Sequence, residues 1–206
     1  MKPRRRPGRF RKVCGLDEAG RGALAGPLVL AAVVMRSDFR FEYVAGDVVV
    51  RDSKKLSIRQ RRRVMELVES YSLRIEIEVI SVAEINARGI GWANLEGFRR
   101  LVERIEASEY VIDGRGSAAV MGPKARRVSF VIDADETIPV ALAAGIVAKI
   151  RRDEIMQELD RDHPVYNWKR NTGHGTREHV EAIRKHGQCA HHRTRFVETA
   201  LTAYLD

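Results

Sequence analysis

Three apolar runs in this chain close on an aspartate: CGLD at Asp17, YVID at Asp113 and FVID at Asp133, and the first continues at once into a second acid, Glu18. A carboxylate at the edge of an apolar core is costly unless something compensates it. In an α/β sheet, functional groups gather at strand ends, so acids far apart in sequence can meet in one place. Gathered acids repel one another and need a cation. The chain has two cysteines, Cys14 and Cys189, and no CxxC pair, so the donors on offer are hard oxygens suited to Mg²⁺ or Mn²⁺ rather than zinc. Such ions orient water and stabilise a leaving oxygen in phosphodiester hydrolysis.

The first acids stand in VCGLDEAGRGALAGPLVLAAVVM, between two apolar runs. Neighbours on a regular strand face opposite ways, so a strand that offers both Asp17 and Glu18 to one site is expected to end or bend at Glu18. The Ala-Gly-Arg-Gly that follows supplies a bend, and its glycines let backbone N–H groups approach a phosphate or sugar closely.

The elements that must position these residues follow from the apolar pattern. Residues 13–16 and 27–35 are short, Val/Leu-rich runs that predict buried strands, joined by a turn over 19–26, and FRFEYV at 39–44 predicts a third strand. Ser57 is placed to cap a helix running to about residue 70, with Ile58, Val64, Met65, Leu67 and Val68 on one face and Arg59, Arg61, Arg62 and Arg63 on the other. LRIEIEVI at 73–80 alternates with the period of a half-exposed strand. A helix over 92–107, strands at YVID and SFVID, the small-residue helix PVALAAGIVAKIRRDEIMQEL and helices over 176–186 and 196–205 complete the chain. On that helix Lys149 and Asp153 form an i, i+4 pair. Strands first, then strands alternating with helices, predict a mixed-sheet α/β fold.

Composition sets the context. At 206 residues, with 44% hydrophobic and 32% charged residues, the chain suits one globular domain with a single core. Of the net charge of +9, seven units sit in MKPRRRPGRFRK, which leaves +2 for residues 13–206. Residues 1–12 thus read as a flexible basic arm suited to phosphate, before a domain over 13–206. Acids interrupt any signal-peptide pattern, and the apolar run over 24–35 is too short for a bilayer. A soluble, reducing and cytoplasmic setting is expected.

Five blocks, in order and spanning nearly the whole chain after residue 12, resemble ribonuclease HII, the type 2 ribonuclease H family. They are GLDEAGRGALAGPLVLAAVV, DSKKLS at 52–57, YVIDG at 110–114, AAGIVAKIRRDEIM at 143–156 and GTREHVEAIRKHGQCAHHRTRF at 175–196. The resemblance implies a ribonuclease H-like fold, a mixed five-stranded sheet flanked by helices, with a C-terminal helical extension from about residue 160. It implies two divalent ions, Mg²⁺ or Mn²⁺, and cleavage of the RNA strand of RNA/DNA hybrids. It also implies cleavage on the 5′ side of ribonucleotides embedded in duplex DNA, leaving 3′-hydroxyl and 5′-phosphate ends. A monomer acting on nucleic acid, with no membrane, is implied too.

Asp17, Glu18 and Asp113 carry over as catalytic, metal-binding acids. For the fourth, the strand-end pattern favours Asp133, whereas the family's fixed interval before the small-residue helix gives Asp135. Gly20, Arg21 and Gly22 match the motif that grips the junction nucleotide and senses its 2′-hydroxyl, and Ser53, Lys54 and Lys55 are implied phosphate contacts. The chain departs from the family at Ala23, where proline is usual, and at His174, which replaces the junction-sensing tyrosine. An imidazole there can stack on a sugar or base and can carry a proton near neutral pH. All six histidines lie between His163 and His192, and CAHH matches no common zinc site, so a packed, partly basic surface is expected. Two rivals are a ribonuclease HIII-like enzyme, which usually has an added N-terminal domain and lacks GRG, and an inactive nucleic-acid-binding protein on the same fold.

Overall fold

The computed structural model describes residues 10–41 and 58–203. Ser53, Lys54 and Lys55, and residues 42–44 of the segment from Phe39 to Val44, lie outside these residues. Among the described residues no helix is long and apolar enough to cross a membrane.

Five strands form one mixed sheet in the order β3-β2-β1-β4-β5. β1 (Lys12–Ala19) and β2 (Leu28–Arg36) are antiparallel, paired without a break from Lys12↔Arg36 to Ala19↔Val29. β3 (Arg74–Ile80) adds antiparallel to β2, while β4 (Glu109–Asp113) and β5 (Val128–Val131) add parallel on the other side of β1. In β2 every residue from Leu28 to Met35 is buried, because both faces are covered. That is why its sequence is an unbroken apolar run rather than an alternating one.

On one face, Leu28, Leu30, Ala32 and Val34 meet α3 (Ile90–Arg104) and the 3₁₀ segment Ala118–Arg127. On the other, Ala31, Val33 and Met35 meet α1 (Ile58–Tyr71) and α5 (Pro139–Asp162). β3, at the sheet's edge, carries charge toward α3, where Arg100 Nη1 donates to Glu78 at 3.0 Å. Short α2 (Val82–Arg88) starts on a capping box between Ser81 and Glu84.

α5 is the central helix. Pro139 opens it, where the missing N–H costs nothing, and its Ala141, Ala143, Ala144 and Ala148 are all buried. The helix comes so close to β1 that a Cβ on Gly15 would lie 2.1 Å from the Val140 carbonyl carbon. Behind it, α6 (Trp168–Asn171), α7 (Arg177–His186) and α8 (Thr194–Ala203) enclose a third cluster that includes Met156, Tyr166, Trp168, Ile183 and Val197.

Three expectations are corrected. Phe39–Phe41 is not strand: Phe39 turns its ring onto Phe41 at 5.0 Å and Tyr71 at 5.6 Å, so burial of aromatics there is local, and among the described residues the third strand is β3. β1 neither ends nor bends at Glu18; its ladder continues through Ala19. The SFVID strand stops at Val131, before Asp133, which takes a left-handed conformation (φ 55°) and opens the short α4 (Ala134–Thr137).

Candidate active site

β1 and β4 are parallel neighbours with Leu16 opposite Ile112, so the next residue of each, Asp17 and Asp113, emerge side by side. Asp17 shares the strand face of Val13 and Ala19, toward α5, where a Cβ on Gly145 would lie 2.3 Å from its Oδ2. The third acid arrives from α4. Asp113 Oδ1 accepts the Ala134 N–H at 2.7 Å and the Asp135 N–H at 3.4 Å, which ties the start of that helix to the end of β4. Asp17, Asp113 and Asp135 thereby bring carboxylate oxygens within 4.8 Å of one another. Asp133 is exposed and outside this group.

Glu18 lines the same cleft but is not one of the three, because alternation along an unbroken strand gives it the opposite face from Asp17. Its Oε1 is 3.5 Å from Arg21 Nη1, and its main-chain N–H donates to Asp17 Oδ1 at 2.7 Å. Burial pushes the Asp17 carboxyl well above the usual carboxylate range, and Glu18, Asp113 and Asp135 push it further. Burial also raises Glu18, against the pull of Arg21 and with help from Asp113 and Asp135. A donor set of this kind, buried carboxyls crowded by other acids, fits a divalent cation whose charge would favour their ionised forms.

The cleft, of about 270 Å³, has walls that the sequence patterns did not single out. Gly145, Lys149 and Arg152 line it at i, i+4 and i+7 of α5, one helix face, and that spacing is the signal that would have found them. Arg61 of α1 lines it from the basic helix face, while Lys149 pairs with Asp153.

The turn over 20–27 is held from behind by two buried arginines. Arg152, 1% exposed, donates to Pro27 O (3.1 Å), Thr172 O (2.8 Å) and Ala25 O (3.0 Å). Arg193, fully buried, donates to Gly26 O (2.9 Å), Gly20 O (2.7 Å) and Arg21 O (3.1 Å). Gly20 (φ 92°) packs on the Arg152 side chain, while Arg21 and Gly22 are exposed at the rim.

His174 also lines the cleft, where a left-handed pair, Thr172 and Gly173, turns the chain. Its Nδ1 lies 3.1 Å from Asn171 O and 3.0 Å from Thr172 Oγ1. Partial burial lowers its pKa below the usual histidine value, which works against the proton that an imidazole can carry there. Beneath it, His179 and His192 are buried. His192 Nδ1 accepts the Cys189 N–H (3.0 Å), so its Nε2–H donates to His179 Nε2 (3.2 Å), which also accepts from Trp168 Nε1 (3.0 Å). The remaining His179 Nδ1–H donates to His174 O at 2.9 Å. Burial lowers both, His192 to about 4, and they form a neutral network under the cleft rim.

An antiparallel ribbon continued by parallel strands, with carboxylates where the central pair ends and a long helix across them, defines a ribonuclease H-like hydrolase. Solved structures share this fold: the ribonuclease HII of Archaeoglobus fulgidus, in a structure of its complex with PCNA, superposes with a TM-score of 0.75 at 24% identity over 89% of this chain and 94% of that one. A Bst-RNase HIII in complex with Mn²⁺ gives 0.64 at 19% identity, over 94% and 70%. The Ribonuclease HII family model matches residues 14–199, and a ribonuclease HII of Burkholderia mallei (strain SAVP1) is 36% identical over 184 residues, 89% of this chain and 82% of that one. The chain belongs to the ribonuclease HII family, the type 2 ribonuclease H enzymes, which are divalent-metal-dependent nucleases acting on RNA/DNA.

Proposed function

We propose that this chain cleaves the RNA strand of RNA/DNA hybrids and the 5′ side of ribonucleotides embedded in duplex DNA, leaving 3′-hydroxyl and 5′-phosphate ends. The observation that carries the reading is the meeting of Asp17, Asp113 and Asp135 within 4.8 Å in a cleft. These three would hold Mg²⁺ or Mn²⁺, with Glu18 turning from Arg21 to complete the set. The ions would supply orientation of the attacking water and charge stabilisation of the leaving 3′ oxygen.

The chain's own groups do the rest. Asp113, fixed by two main-chain N–H groups, keeps one oxygen aimed by a hydrogen bond and one available to the cleft. Gly20, Arg21 and Gly22 grip the ribonucleotide through main-chain and guanidinium donors, and the 2′-hydroxyl is the group that separates RNA from DNA there. His174 stacks on the neighbouring sugar or base as a neutral ring. Lys54 and Lys55, with Ser53, contact phosphates.

The test compares a duplex with one embedded ribonucleotide, a continuous RNA/DNA hybrid and plain DNA, each in Mg²⁺, Mn²⁺ and EDTA. Cuts 5′ to the ribonucleotide, absent from plain DNA and in EDTA, are expected. Binding without strand scission in either metal would return the chain to an inactive nucleic-acid-binding role.

A further inference from the structure

The substrate-gripping turn owes its shape to a residue far from it in sequence. Arg193 is fully buried, has no carboxylate within hydrogen-bond reach among the described residues, and gives its Nε and Nη1 to the carbonyls of Gly20, Arg21 and Gly26. In a trans peptide the carbonyl of one residue and the N–H of the next point in opposite directions. With the Gly20 and Arg21 carbonyls drawn inward to Arg193, the N–H groups of Arg21 and Gly22 point outward. Neither donates to a main-chain group among the described residues. A neighbouring peptide is oriented in the same way: Arg152 takes the Ala25 carbonyl, and the Gly26 N–H turns the other way, to His191 O at 2.9 Å.

We infer that Arg193 is a positioning residue for substrate binding: it fixes two successive main-chain N–H groups, of Arg21 and Gly22, at the cleft rim as a preformed donor pair for the sugar and phosphate of the bound strand. This rests on the nucleic-acid reading given above. Successive N–H donors of this kind form an anion-binding concavity, and holding them in advance removes the cost of ordering a glycine-rich turn on binding. Lysine cannot substitute, because a single ammonium lacks the planar fork that reaches three carbonyls at once.

The experiment has two arms. In the first, Arg193→Lys is compared with the wild type on a duplex carrying one ribonucleotide: KM is expected to rise roughly tenfold or more with kcat changed far less, since a ground-state contact is lost. In the second, amide hydrogen exchange of the wild-type chain is followed in EDTA with and without that duplex, and Arg21 and Gly22 are expected to exchange freely alone and to be protected in the complex. An Arg193→Lys enzyme with unchanged KM, a loss confined to kcat, or Arg21 and Gly22 amides that exchange as fast in the complex as alone would overturn the inference. If the variant does not fold, the exchange arm decides. A wild-type chain that binds and protects these amides yet cleaves nothing sinks the catalytic reading while leaving this one standing.

Discussion

Replacing Asp17 with asparagine should make the metal-free protein more stable while abolishing cleavage. Two full charges 4.8 Å apart, the span of the Asp17, Asp113 and Asp135 oxygens, repel by about 3.5 kcal/mol at an effective dielectric near 20. Burial first, and then Glu18, Asp113 and Asp135, raise the Asp17 carboxyl, so ionising it costs more in the fold than in the unfolded chain. That difference is a cost of folding wherever the unfolded carboxyl is ionised. Asparagine keeps the shape, and its Oδ1 still accepts the Glu18 N–H. Its amide can donate to a neighbouring carboxylate. A gain of about 1–3 kcal/mol, a fraction of the Coulomb limit, is expected. For a chain of this size that raises Tm by roughly 3–10 °C in EDTA.

The sign with pH follows from the raised folded pKa. The penalty is absent below the ordinary carboxylate range, so the wild type and Asp17→Asn should converge near pH 4 and separate as pH rises toward 7. Millimolar Mg²⁺ should raise the wild-type Tm and close the gap, because a ligand bound only by the folded state stabilises it. Thermal unfolding by circular dichroism at two pH values, with and without Mg²⁺, reads all of this. An Asp17→Asn protein that melts at or below the wild type in EDTA at pH 7, or a gap indifferent to pH, would refute the reasoning.

Asp135→Asn should lower the cleavage rate on the order of a hundredfold or more, while Asp133→Asn, at an exposed left-handed position outside the cluster, should stay near wild type; single-turnover rates rank them, and the reverse order would move the fourth ligand. His174→Ala should slow cleavage at a single ribonucleotide about tenfold by loss of stacking, and His174→Tyr should keep activity and sharpen preference for the RNA-to-DNA junction over continuous hybrid; three indistinguishable sets of rates would leave His174 a bystander. Because burial depresses His192 to about 4, the unfolded chain binds a proton that the fold refuses between there and the usual histidine value. Stability should therefore fall by up to about 3 kcal/mol as pH drops from 6.5 to 4. Urea unfolding at both pH values checks it, and His192→Phe should flatten that slope.

What was legible in the sequence is what local periodicity controls. β2 announced itself as an apolar run, α5 by its small residues, and Asp17 and Asp113 by the rule that acids at strand ends converge. Asp133 misled that same rule. The strand ends two residues before it, because the chain turns left-handed to enter α4, and the placement of Asp135 is set by hydrogen bonds to Asp113, 22 positions away. The resemblance, which counts from the helix instead, pointed to Asp135. Phe39 and Phe41 read as strand because their spacing is two, but aromatic packing on Tyr71 satisfies the same pattern. Arg152 and Arg193 stood in quoted blocks without a role, since nothing local distinguishes an arginine that reaches carbonyls more than a hundred residues away.

Those arginines also bear on the charge balance of the cleft. A guanidinium buried without a carboxylate partner is costly, and burial lowers Arg152 to about 10 and Arg193 to about 9. Six main-chain carbonyls offset part of that cost by meeting the N–H groups. Through space, Asp153 raises Arg152 against its burial while Arg152 lowers Arg193, so Arg193 is the more strongly depressed of the two and depends the more on its carbonyls.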